Sequence, residues 1–314
     1  MRVAFIIDAF PVISQTFVID QVAGLMDKGV DVQVFSFKKG GLDDIAENFK
    51  KYEMSGITHY MNMPKNKFSR IIKIVPKVLK LLKSNPSVLF KALNVKKFGK
   101  NALSLKTVYL ADFFKDKEFD LAHCHFGPVA NDFLIAKEIL TLKQKLITTF
   151  YGYDASRIFK TEGEHYYDKL NKECSMFFAM SADMKERLVS KGFDPGKIKV
   201  HPPGIDLSRY QFKERLIEDK INILSIGRLV EKKGFDDLLR ALNVVKQKTT
   251  KPVACTIVGD GPLKSKLRDM ASSLDLDKVV KFRGQMRMEE INDLLPSMHL
   301  YVQPSKTDSI GNME

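Results

Sequence analysis

The feature that most constrains this chain is a repeated alternation of apolar, strand-like segments with helix-like segments. Continuous apolar strands separated by helices predict parallel sheets that are covered on both faces. The alternation restarts at residue 221, after the polar segment 206–220. It therefore predicts an α/β protein with two doubly wound domains, over residues 1–206 and 207–314. The length of 314 residues suits this division, because a typical domain contains about 150 residues.

The predicted elements follow one another in a regular order. In the first domain, strands are expected at 2–7, 30–37, 120–123, 145–150, 174–180 and 197–200, and helices at 15–28, 131–141 and 182–191. In the second domain, strands are expected at 221–226, 253–258, 279–282 and 299–302, and helices at 234–246, 262–274 and 288–295. Ligands of such sheets bind in the loops beyond the carboxyl ends of the strands. The chemistry of this chain is therefore expected in the loops that join strands to helices.

The composition excludes several classes of protein. A hydrophobic share of 44% with 28% charged residues is ordinary for a globular α/β protein. No run approaches the roughly 20 apolar residues of a membrane-spanning helix, and the N-terminus lacks the apolar core and cleavage site of a signal peptide. The cysteines Cys124, Cys174 and Cys255 are scattered in apolar segments, which predicts reduced core thiols. Together these features predict a cytoplasmic protein.

Positive charge is concentrated in one stretch of the chain. Residues 61–111 contain twelve Lys or Arg and no Asp or Glu, whereas the whole chain has a net charge of +13. Lysines interrupt a run of Ile, Val and Leu over 71–83 in a helical pattern. Such a helix either lies on an anionic membrane surface, at the inner face of the cytoplasmic membrane, or covers a sheet with its lysines in solvent. Nucleic acid is disfavoured as a partner, because no binding motif accompanies the charge.

The first strand-to-helix loop covers residues 8–16. Ser14 and Thr16, on either side of Gln15, are suitable helix caps, and the helix N-terminus offers free backbone N–H groups to a ligand. The loop lacks the glycine fingerprint of a dinucleotide site, which disfavours a dehydrogenase. A binding role and a purely structural capping role both fit these residues.

Polar side chains follow two later strands of the first domain. His123 and His125 precede a Gly-Pro turn, and a zinc site would need further ligands at usable spacing, which the sequence does not supply. A functional His125 at a strand end and a pair of incidental histidines both remain open. Beyond the next strand, Tyr151 and Asp154 offer hydrogen-bonding groups to a polar substrate. A structural turn explains the same two residues.

The loop after the strand at 221–226 has more specific chemistry. Gly227 lets a ligand approach the strand end, while Arg228 and Lys233 bring two cations to the start of a helix. A planar guanidinium, a point charge and a helix N-terminus are the combination that binds a diphosphate. Because negative charge grows on a departing diphosphate, these cations would bind the transition state more tightly than the ground state. The alternative is two solvated surface cations.

Two further loops carry glycines at strand ends. One contains Gly259, Asp260, Gly261 and Pro262, with Pro262 at the expected start of a helix. The other contains Arg283 and Gly284. Three glycine-bearing loops at consecutive strand ends predict a single crevice.

These motifs together resemble the retaining glycosyltransferases of family 4, which have the GT-B fold. The resemblance runs the length of the chain and is carried by Gly-Arg-Leu-x-x-x-Lys-Gly at 227–234, Val-Gly-Asp-Gly-Pro at 258–262, Phe-x-Gly at 282–284 and His-Pro-Pro-Gly-Ile-Asp at 201–206. Segments 10–18 and 123–127 resemble the colanic-acid and exopolysaccharide branch. The fold implied is two Rossmann-like domains facing a cleft, an acceptor-binding domain followed by a nucleotide-sugar domain.

The resemblance also implies roles for the site residues. Arg228 and Lys233 would bind the diphosphate of a UDP- or GDP-sugar, and His125 would contact the transferred sugar. The nucleotide pocket would be lined by the chain at Gly227, Gly259, Asp260, Gly261, Pro262, Arg283 and Gly284. The acceptor side would include Ser14, Gln15, Thr16, Tyr151 and Asp154. Gln15 stands where the branch usually has Glu, and Tyr151 where the family often has His. Family members need no catalytic metal ion or other cofactor.

The last residue also matches a family motif. Glu314 would be the first Glu of the Glu-x7-Glu motif and would contact the donor sugar. The second Glu, which holds the nucleotide ribose in relatives, would come after residue 314. The expectation is an incomplete donor domain, so that the isolated 1–314 chain is weakly stable and largely inactive.

The function implied is transfer of a hexose, with retention, from a nucleoside-diphosphate sugar to a lipid-linked bacterial polysaccharide. Another GT-B-like enzyme, an epimerase or a sugar-phosphate synthase, is the alternative within enzymes. A nucleotide-sugar-binding fragment without catalysis is the alternative outside them. A transferase requires an acceptor, whereas an epimerase alters the sugar without one.

Overall fold

The computed structural model describes residues 1–12, 15–41, 47–205, 207, 212, 214, 216–217 and 219–309. The chain forms two compact units, Met1–Ile205 and Asp206–Glu314. Each unit has its own parallel sheet and its own hydrophobic core. None of the described helices combines the length and the apolar character that spanning a bilayer requires.

The N-terminal unit is built on a seven-stranded parallel sheet. Its strands are β1 (Arg2–Phe10), β2 (Asp31–Lys39), β3 (Thr58–Tyr60), β4 (Leu121–His125), β5 (Lys145–Phe150), β6 (Met176–Ala179) and β7 (Ile198–Val200). They lie side by side in the order β3-β2-β1-β4-β5-β6-β7. Successive side chains of β1 point to opposite faces, so Phe5 and Ile7 join one core cluster and Ala4 and Ile6 join another.

Helices cover both faces of this sheet. They are α1 (Thr16–Met26), α2 (Glu47–Lys51), α3 (Lys67–Ser84), α4 (Pro86–Ala92), α5 (Val95–Phe98), α6 (Lys100–Leu103), α7 (Lys106–Phe114), α8 (Gly127–Leu140), α9 (Arg157–Glu162), α10 (Asp168–Glu173) and α11 (Ala182–Ser190). Val18 and Val22 of α1 pack in the cluster that contains Phe5. Helices α7 and α8 pack on the opposite face.

The basic stretch lies in the connection between β3 and β4, which contains α3 to α7. Asn66 begins α3, because its side chain accepts hydrogen bonds from the backbone N–H groups of Phe68 (2.8 Å) and Ser69 (3.3 Å). Asn85 begins α4 in the same way, and Pro86 occupies the first turn, where no backbone N–H is needed.

The C-terminal unit contains a four-stranded parallel sheet in the described residues. Its strands are β8 (Ile221–Ile226), β9 (Val253–Val258), β10 (Val280–Gly284) and β11 (Leu300–Tyr301), in the order β10-β9-β8-β11. Its helices are α12 (Phe235–Lys248), α13 (Lys264–Ser273) and α14 (Met288–Leu294). Leu239 of α12 and Ile257 of β9 are fully buried in the core.

Several element boundaries differ from the sequence predictions. β4 continues to His125, because His123 and His125 pair with Ile147 and Thr149 of β5 in the parallel ladder. α8 begins at Gly127 instead of residue 131, and α13 begins at Lys264 instead of residue 262. The strands predicted at 145–150, 221–226 and 253–258 have the observed bounds.

Candidate functional site

Both sheets have a point at which the strand order reverses. In the N-terminal unit, the chain passes from β1 to β2 on one side, and β4 lies on the other side of β1. In the C-terminal unit, β9 lies on one side of β8 and β11 on the other. Loops at the carboxyl ends of such strands diverge and leave a crevice in which ligands bind. His125 ends β4 and Gly227 follows β8, so these two predicted site residues lie at the two points.

His125 is the last residue of β4 and is completely buried. Its Nδ1 lies 2.7 Å from the Tyr151 hydroxyl, and its ring stacks on Phe5 with centroids 4.8 Å apart. Its Nε2 has no hydrogen-bond partner among the described residues. Burial lowers the pKa of His125 well below its ordinary value, so the imidazole is neutral at pH 7. A neutral imidazole with one uncommitted nitrogen can hydrogen-bond a sugar hydroxyl.

His123 lies beside it, with ring centroids 4.4 Å apart. Its Nε2 lies 2.7 Å from the Thr149 hydroxyl, and burial lowers its pKa to about 3. This histidine is therefore a satisfied core residue, as one of the two sequence interpretations allowed. Among the described residues, no group of three metal-ligating side chains occurs.

The loop after β1 approaches the same point. α1 begins at Thr16, with Gln15 in the capping position and without a side-chain capping bond. Thr16 is thus the first helical residue and not the predicted cap, while Ser14 lies outside the described residues. The ring of Phe17 packs against Tyr151 with centroids 4.7 Å apart. Phe17, the second residue of α1, is therefore brought against Tyr151, the hydrogen-bond partner of His125.

Asp154 has a different place from the one predicted. Its side chain is fully buried, and it accepts hydrogen bonds from the backbone N–H groups of Tyr151 and Gly152 (both 2.9 Å) and of Gly127 (3.1 Å). Burial raises the pKa of Asp154, and these N–H groups act in the opposite direction. The predicted contact with a polar substrate is corrected, because both carboxylate oxygens hold the turn against the start of α8.

Phe126 was missed by the sequence analysis. It has φ +74°, which is rare for a residue with a side chain, and its ring packs on Tyr151 with centroids 4.7 Å apart. Together with Phe17 it forms an aromatic wall against the Tyr151 ring. No pattern in the sequence identifies this wall, because Phe17 comes from α1 and Phe126 from the turn between β4 and α8.

The three glycine-bearing loops of the C-terminal unit are joined by backbone hydrogen bonds. The backbone N–H of Gly227 donates to the carbonyl oxygen of Val258 (2.9 Å), and the N–H of Gly259 donates to the carbonyl oxygen of Gly284 (2.7 Å). The N–H of Leu229 donates to the backbone carbonyl oxygen of Asp260 (3.0 Å). The loops after β8 and β9 and the end of β10 therefore form one continuous surface.

Glycine is required where these loops touch. A Cβ at Gly259, which has φ +139°, would lie 1.9 Å from the Gly227 carbonyl oxygen. A Cβ at Gly261 would lie 2.6 Å from the Leu229 carbonyl oxygen. Both distances are far shorter than any van der Waals contact. The two loops can meet only because both positions lack a side chain.

Arg228 and Lys233 lie on this surface. Arg228 is exposed and Lys233 is half-buried. A Cβ added at Gly227 would lie 3.4 Å from Lys233 Cδ and 3.5 Å from its Cε, so the lysine stem runs beside the end of β8. α12 begins two residues later, after Gly234 with φ +67°. Two cations and a helix N-terminus are thus collected at one strand end.

The remaining predicted nucleotide-site residues border the loops. The Asp260 carboxylate accepts hydrogen bonds from Gly261 N–H (2.7 Å) and Lys264 Nζ (2.6 Å), and the bond from Lys264 lowers its pKa. Pro262 is exposed and precedes α13 by two residues, so it does not begin that helix as predicted. Arg283 is exposed near the end of β10.

The segment after β11 contributes residues that the sequence analysis missed. Ser309 donates to the Glu231 carboxylate through its backbone N–H (2.9 Å) and its hydroxyl (2.8 Å). Lys306 donates to Asp236 (2.8 Å) and Asp237 (2.7 Å), which lie in the first turn of α12. Pro304 packs against Gly234 so closely that a Cβ there would lie 1.8 Å from its carbonyl oxygen. Glu314 lies outside the described residues.

Comparison with protein-family models identifies both units. A model described as "Glycosyltransferase Family 4" matches residues 14–209, more than half of the chain, and one described as "Glycosyl transferases group 1" matches residues 208–312.

The chain belongs to glycosyltransferase family 4.

Curated glycosyltransferases are similar to the whole chain. Amylovoran biosynthesis glycosyltransferase AmsK from Erwinia amylovora is 30% identical over 328 residues, which span all of this chain and 78% of that protein. WcaL from Salmonella typhimurium, named as a glycosyltransferase of colanic acid biosynthesis, is 27% identical over 320 residues, with the same coverage of 100% and 78%.

The fold is also found among solved structures. The crystal structure of HepE from Anabaena, in complex with UDP and glucose, has a TM-score of 0.61 to this chain at 17% identity. The similarity covers 97% of this chain and 74% of HepE. The predicted α/β architecture of the GT-B type and the predicted membership of family 4 are therefore confirmed.

Proposed function

We propose that this family 4 protein transfers a hexose from a UDP- or GDP-sugar to a lipid-linked bacterial polysaccharide, with retention of configuration and without a catalytic metal ion. The exopolysaccharide assignment rests on the names of AmsK and WcaL. The nucleotide-sugar donor is consistent with the UDP and glucose bound to HepE. The same proposal assigns the enzyme to the inner face of the cytoplasmic membrane, through the basic stretch 61–111.

The observation that carries the proposal is the surface formed at the end of β8. Arg228 and Lys233 lie there beside the N-terminus of α12, and Gly227 and Gly259 allow a ligand to reach the backbone. An anion with several oxygen atoms can accept from a guanidinium, an ammonium and backbone N–H groups at once. A nucleoside diphosphate has this chemistry, and it is also the leaving group of sugar transfer.

These groups favour the reaction through charge. When the bond between the anomeric carbon and the diphosphate breaks, both bonding electrons leave with the diphosphate oxygen. The negative charge on the diphosphate therefore increases in the transition state. Arg228 and Lys233 place positive charge beside it, so they would bind the departing diphosphate more tightly than the intact donor.

His125 is proposed to hold a hydroxyl of the transferred sugar. When the Tyr151 hydroxyl donates to Nδ1, the proton of the neutral imidazole lies on Nε2, the atom without a partner among the described residues. Burial raises the pKa of Tyr151 above its ordinary value, which keeps its hydroxyl protonated and able to donate. The pair thus presents a neutral N–H donor, which suits an uncharged sugar hydroxyl.

The diphosphate assignment is tested by ligand binding. UDP-glucose and GDP-mannose are titrated into the protein and into its Arg228→Ala and Lys233→Ala variants, and binding is followed by the shift in unfolding temperature. Each charge-assisted hydrogen bond contributes about 1.5–3 kcal/mol, so each variant should bind about 10- to 100-fold more weakly. Lys232→Ala removes the same charge from the same loop and should bind normally. Equal affinity in all four proteins would contradict the assignment.

The reaction class is tested with labelled donor. Radiolabelled UDP-glucose or GDP-mannose is incubated with the protein, with and without a bacterial lipid extract as a source of acceptor. Transfer of label to lipid only when the extract is present, unchanged by EDTA, is the expected result. Epimerised sugar in the absence of extract would favour the epimerase alternative. Donor binding without any turnover, with or without extract, would favour a non-catalytic binding protein.

A further inference from the structure

Helix α3 exposes a continuous row of large apolar side chains. We name this row the apolar stripe; it consists of Phe68, Ile71, Ile72, Val75, Leu79 and Leu82. These side chains are between 47% and 73% exposed. Their spacing of three and four residues places them on one face of the helix. An ordinary helix that covers a sheet would turn such a row inward.

The core of the unit is served by a different face of α3. Ile74 and Leu81 are buried, and Val78 packs partly buried against the same core cluster. At about 100° per residue, this core face borders the apolar stripe on one side. The exposed lysine face borders it on the other side, with Lys83 next to the stripe and Lys73 further round the helix. The helix therefore has three faces: core, apolar stripe and lysines.

Neighbouring helices of the basic stretch also expose apolar side chains. Four more large apolar side chains of the basic stretch are exposed, namely Phe90, Leu93, Val95 and Leu103. Scattered single apolar residues are normal on a protein surface, whereas a grouped set of this kind marks a surface with a partner.

The charge around the apolar stripe indicates what that partner is. No Asp or Glu occurs in residues 61–111, so no negative charge of this stretch offsets its lysines. The charge of Lys77 is neutralised by Asp112 of α7, whose Oδ2 lies 2.5 Å from Lys77 Nζ. Lys73 and Lys83, which are exposed on the lysine face of the helix, make no ion pair with any described residue. A partner must therefore combine an apolar layer with adjacent negative charge.

We infer that the apolar stripe inserts into the interfacial layer of a bilayer that contains anionic lipids, with Lys73 and Lys83 at the headgroup phosphates. Apolar side chains enter the acyl boundary, and lysines extend to the charged level, as in other interfacial helices. Docking of a second copy through the same surface is disfavoured, because it would bring two acid-free basic stretches together. The inference deepens the proposed membrane contact, and lipid binding can be measured without sugar transfer.

The chain contains no tryptophan, so a single introduced indole reports on insertion. Leu79→Trp places it on the apolar stripe, and Val244→Trp places it at an exposed apolar position of α12, in the other unit. Vesicles of phosphatidylcholine with phosphatidylglycerol are added to each variant. The expected result is a blue shift of Leu79→Trp emission and no shift for Val244→Trp. Unshifted emission of Leu79→Trp on vesicles that bind the protein would overturn insertion.

Binding itself is measured by sedimentation with the same vesicles. Ile72→Ser with Leu79→Ser should reduce partitioning by about 10-fold or more, since two inserting side chains are lost. Val244→Ser with Val245→Ser on α12 is the matched control and should bind normally. Lys73→Glu with Lys83→Glu should weaken binding to anionic vesicles, and more so at low salt.

Each other outcome decides against the inference. Failure of the unaltered chain to sediment with anionic vesicles overturns it. Loss of binding in the lysine variant, with full binding in the serine variant of the stripe, overturns insertion in favour of charge attraction alone. A dimer that only the stripe substitutions dissociate, without vesicle binding, assigns the surface to a second copy. Thermal shifts with UDP-glucose in every variant separate these results from failure of the donor assignment.

Discussion

The two strand-reversal points use the same topology for opposite chemistry. At the end of β4, buried neutral side chains collect behind an aromatic wall, with His125 and Tyr151 at its centre. At the end of β8, the surface consists of glycine backbone and charged side chains, among them the exposed Arg228. The site at the end of β4 therefore centres on the neutral groups His125 and Tyr151, whereas the site at the end of β8 centres on charged side chains and backbone.

This difference suits the two kinds of ligand in the proposed function, a sugar hydroxyl and a diphosphate. A neutral hydroxyl needs a directional partner, which a buried imidazole held by Tyr151 supplies. A diphosphate needs many donors and close approach to the backbone, which glycines allow.

The backbone surface of the C-terminal unit should fail when a single methyl group is added. Gly259→Ala would place a Cβ 1.9 Å from the Gly227 carbonyl oxygen, at a φ of +139°. The loops must separate, so we expect the unfolding free energy to fall by about 3 kcal/mol or more. Nucleotide binding should be lost at the same time. Gly24→Ala in α1 meets nothing within 4 Å and should be neutral or slightly stabilising. Calorimetric unfolding of both variants provides the measurement.

The polar centre of the N-terminal unit should depend on one hydroxyl group. Tyr151→Phe leaves His125 Nδ1 buried without its 2.7 Å partner. An unsatisfied buried group costs about 1–3 kcal/mol, so the unfolding free energy of this unit should fall by that amount. Tyr153→Phe is the control, because the Tyr153 hydroxyl makes no hydrogen bond to a described residue. Unfolding in urea, followed by circular dichroism, should separate the two variants. Equal stability of Tyr151→Phe and Tyr153→Phe would contradict a stabilising role of the Tyr151 hydroxyl.

Acid should weaken the N-terminal unit through its buried histidines. The pKa of His123 is lowered from its ordinary 6.5 to about 3, so the unfolded chain gains a proton below pH 6.5 while the folded chain does not. This histidine favours folding fully above pH 6.5, and its contribution falls by about 1.4 kcal/mol per pH unit below that value. His123→Gln should therefore reduce the pH dependence of the unfolding free energy between pH 6.5 and 5.5. If the unfolding free energy of the unaltered protein and of His123→Gln has the same pH dependence, His123 is not held neutral in the folded protein.

The smallest effect is expected at Glu231. Glu231→Ala removes two hydrogen bonds from Ser309, on an exposed surface, and should cost about 1 kcal/mol. The loss should appear as faster amide hydrogen exchange in residues 303–309, with the exchange of β8 unchanged. Glu289→Ala, an exposed glutamate of α14, is the control. Unaltered exchange at Ser309 would show that Glu231 does not hold this segment.

Much of the site in the C-terminal unit could be predicted from local sequence. The segments at 221–226 and 253–258 were expected with their observed bounds, and the loop at 227–234 was expected to collect cations at a helix start. These features depend on strand periodicity, glycines and residues close in sequence. The contact of Lys306 and Ser309 with the loop after β8 could not be predicted, because it follows from β11 pairing with β8.

The site in the N-terminal unit was less predictable, because side-chain direction decides its chemistry. Asp154 and His125 are both polar residues after or at a strand end, and the sequence suggested a substrate contact for each. In the folded unit, the Asp154 oxygens bind three backbone N–H groups, whereas His125 keeps one nitrogen without a described partner.

The sequence by itself determined the two doubly wound units, the loops that carry the chemistry, and membership of family 4. These follow from the period of apolar residues and from glycines and charges at fixed offsets, which are local properties. Only the tertiary structure decided which polar groups are buried, which are already paired, and which face of α3 is turned to solvent. Burial depends on neighbours that are distant in the chain. The same alternation of lysine and leucine can therefore cover a core or, as in α3, remain open to a partner.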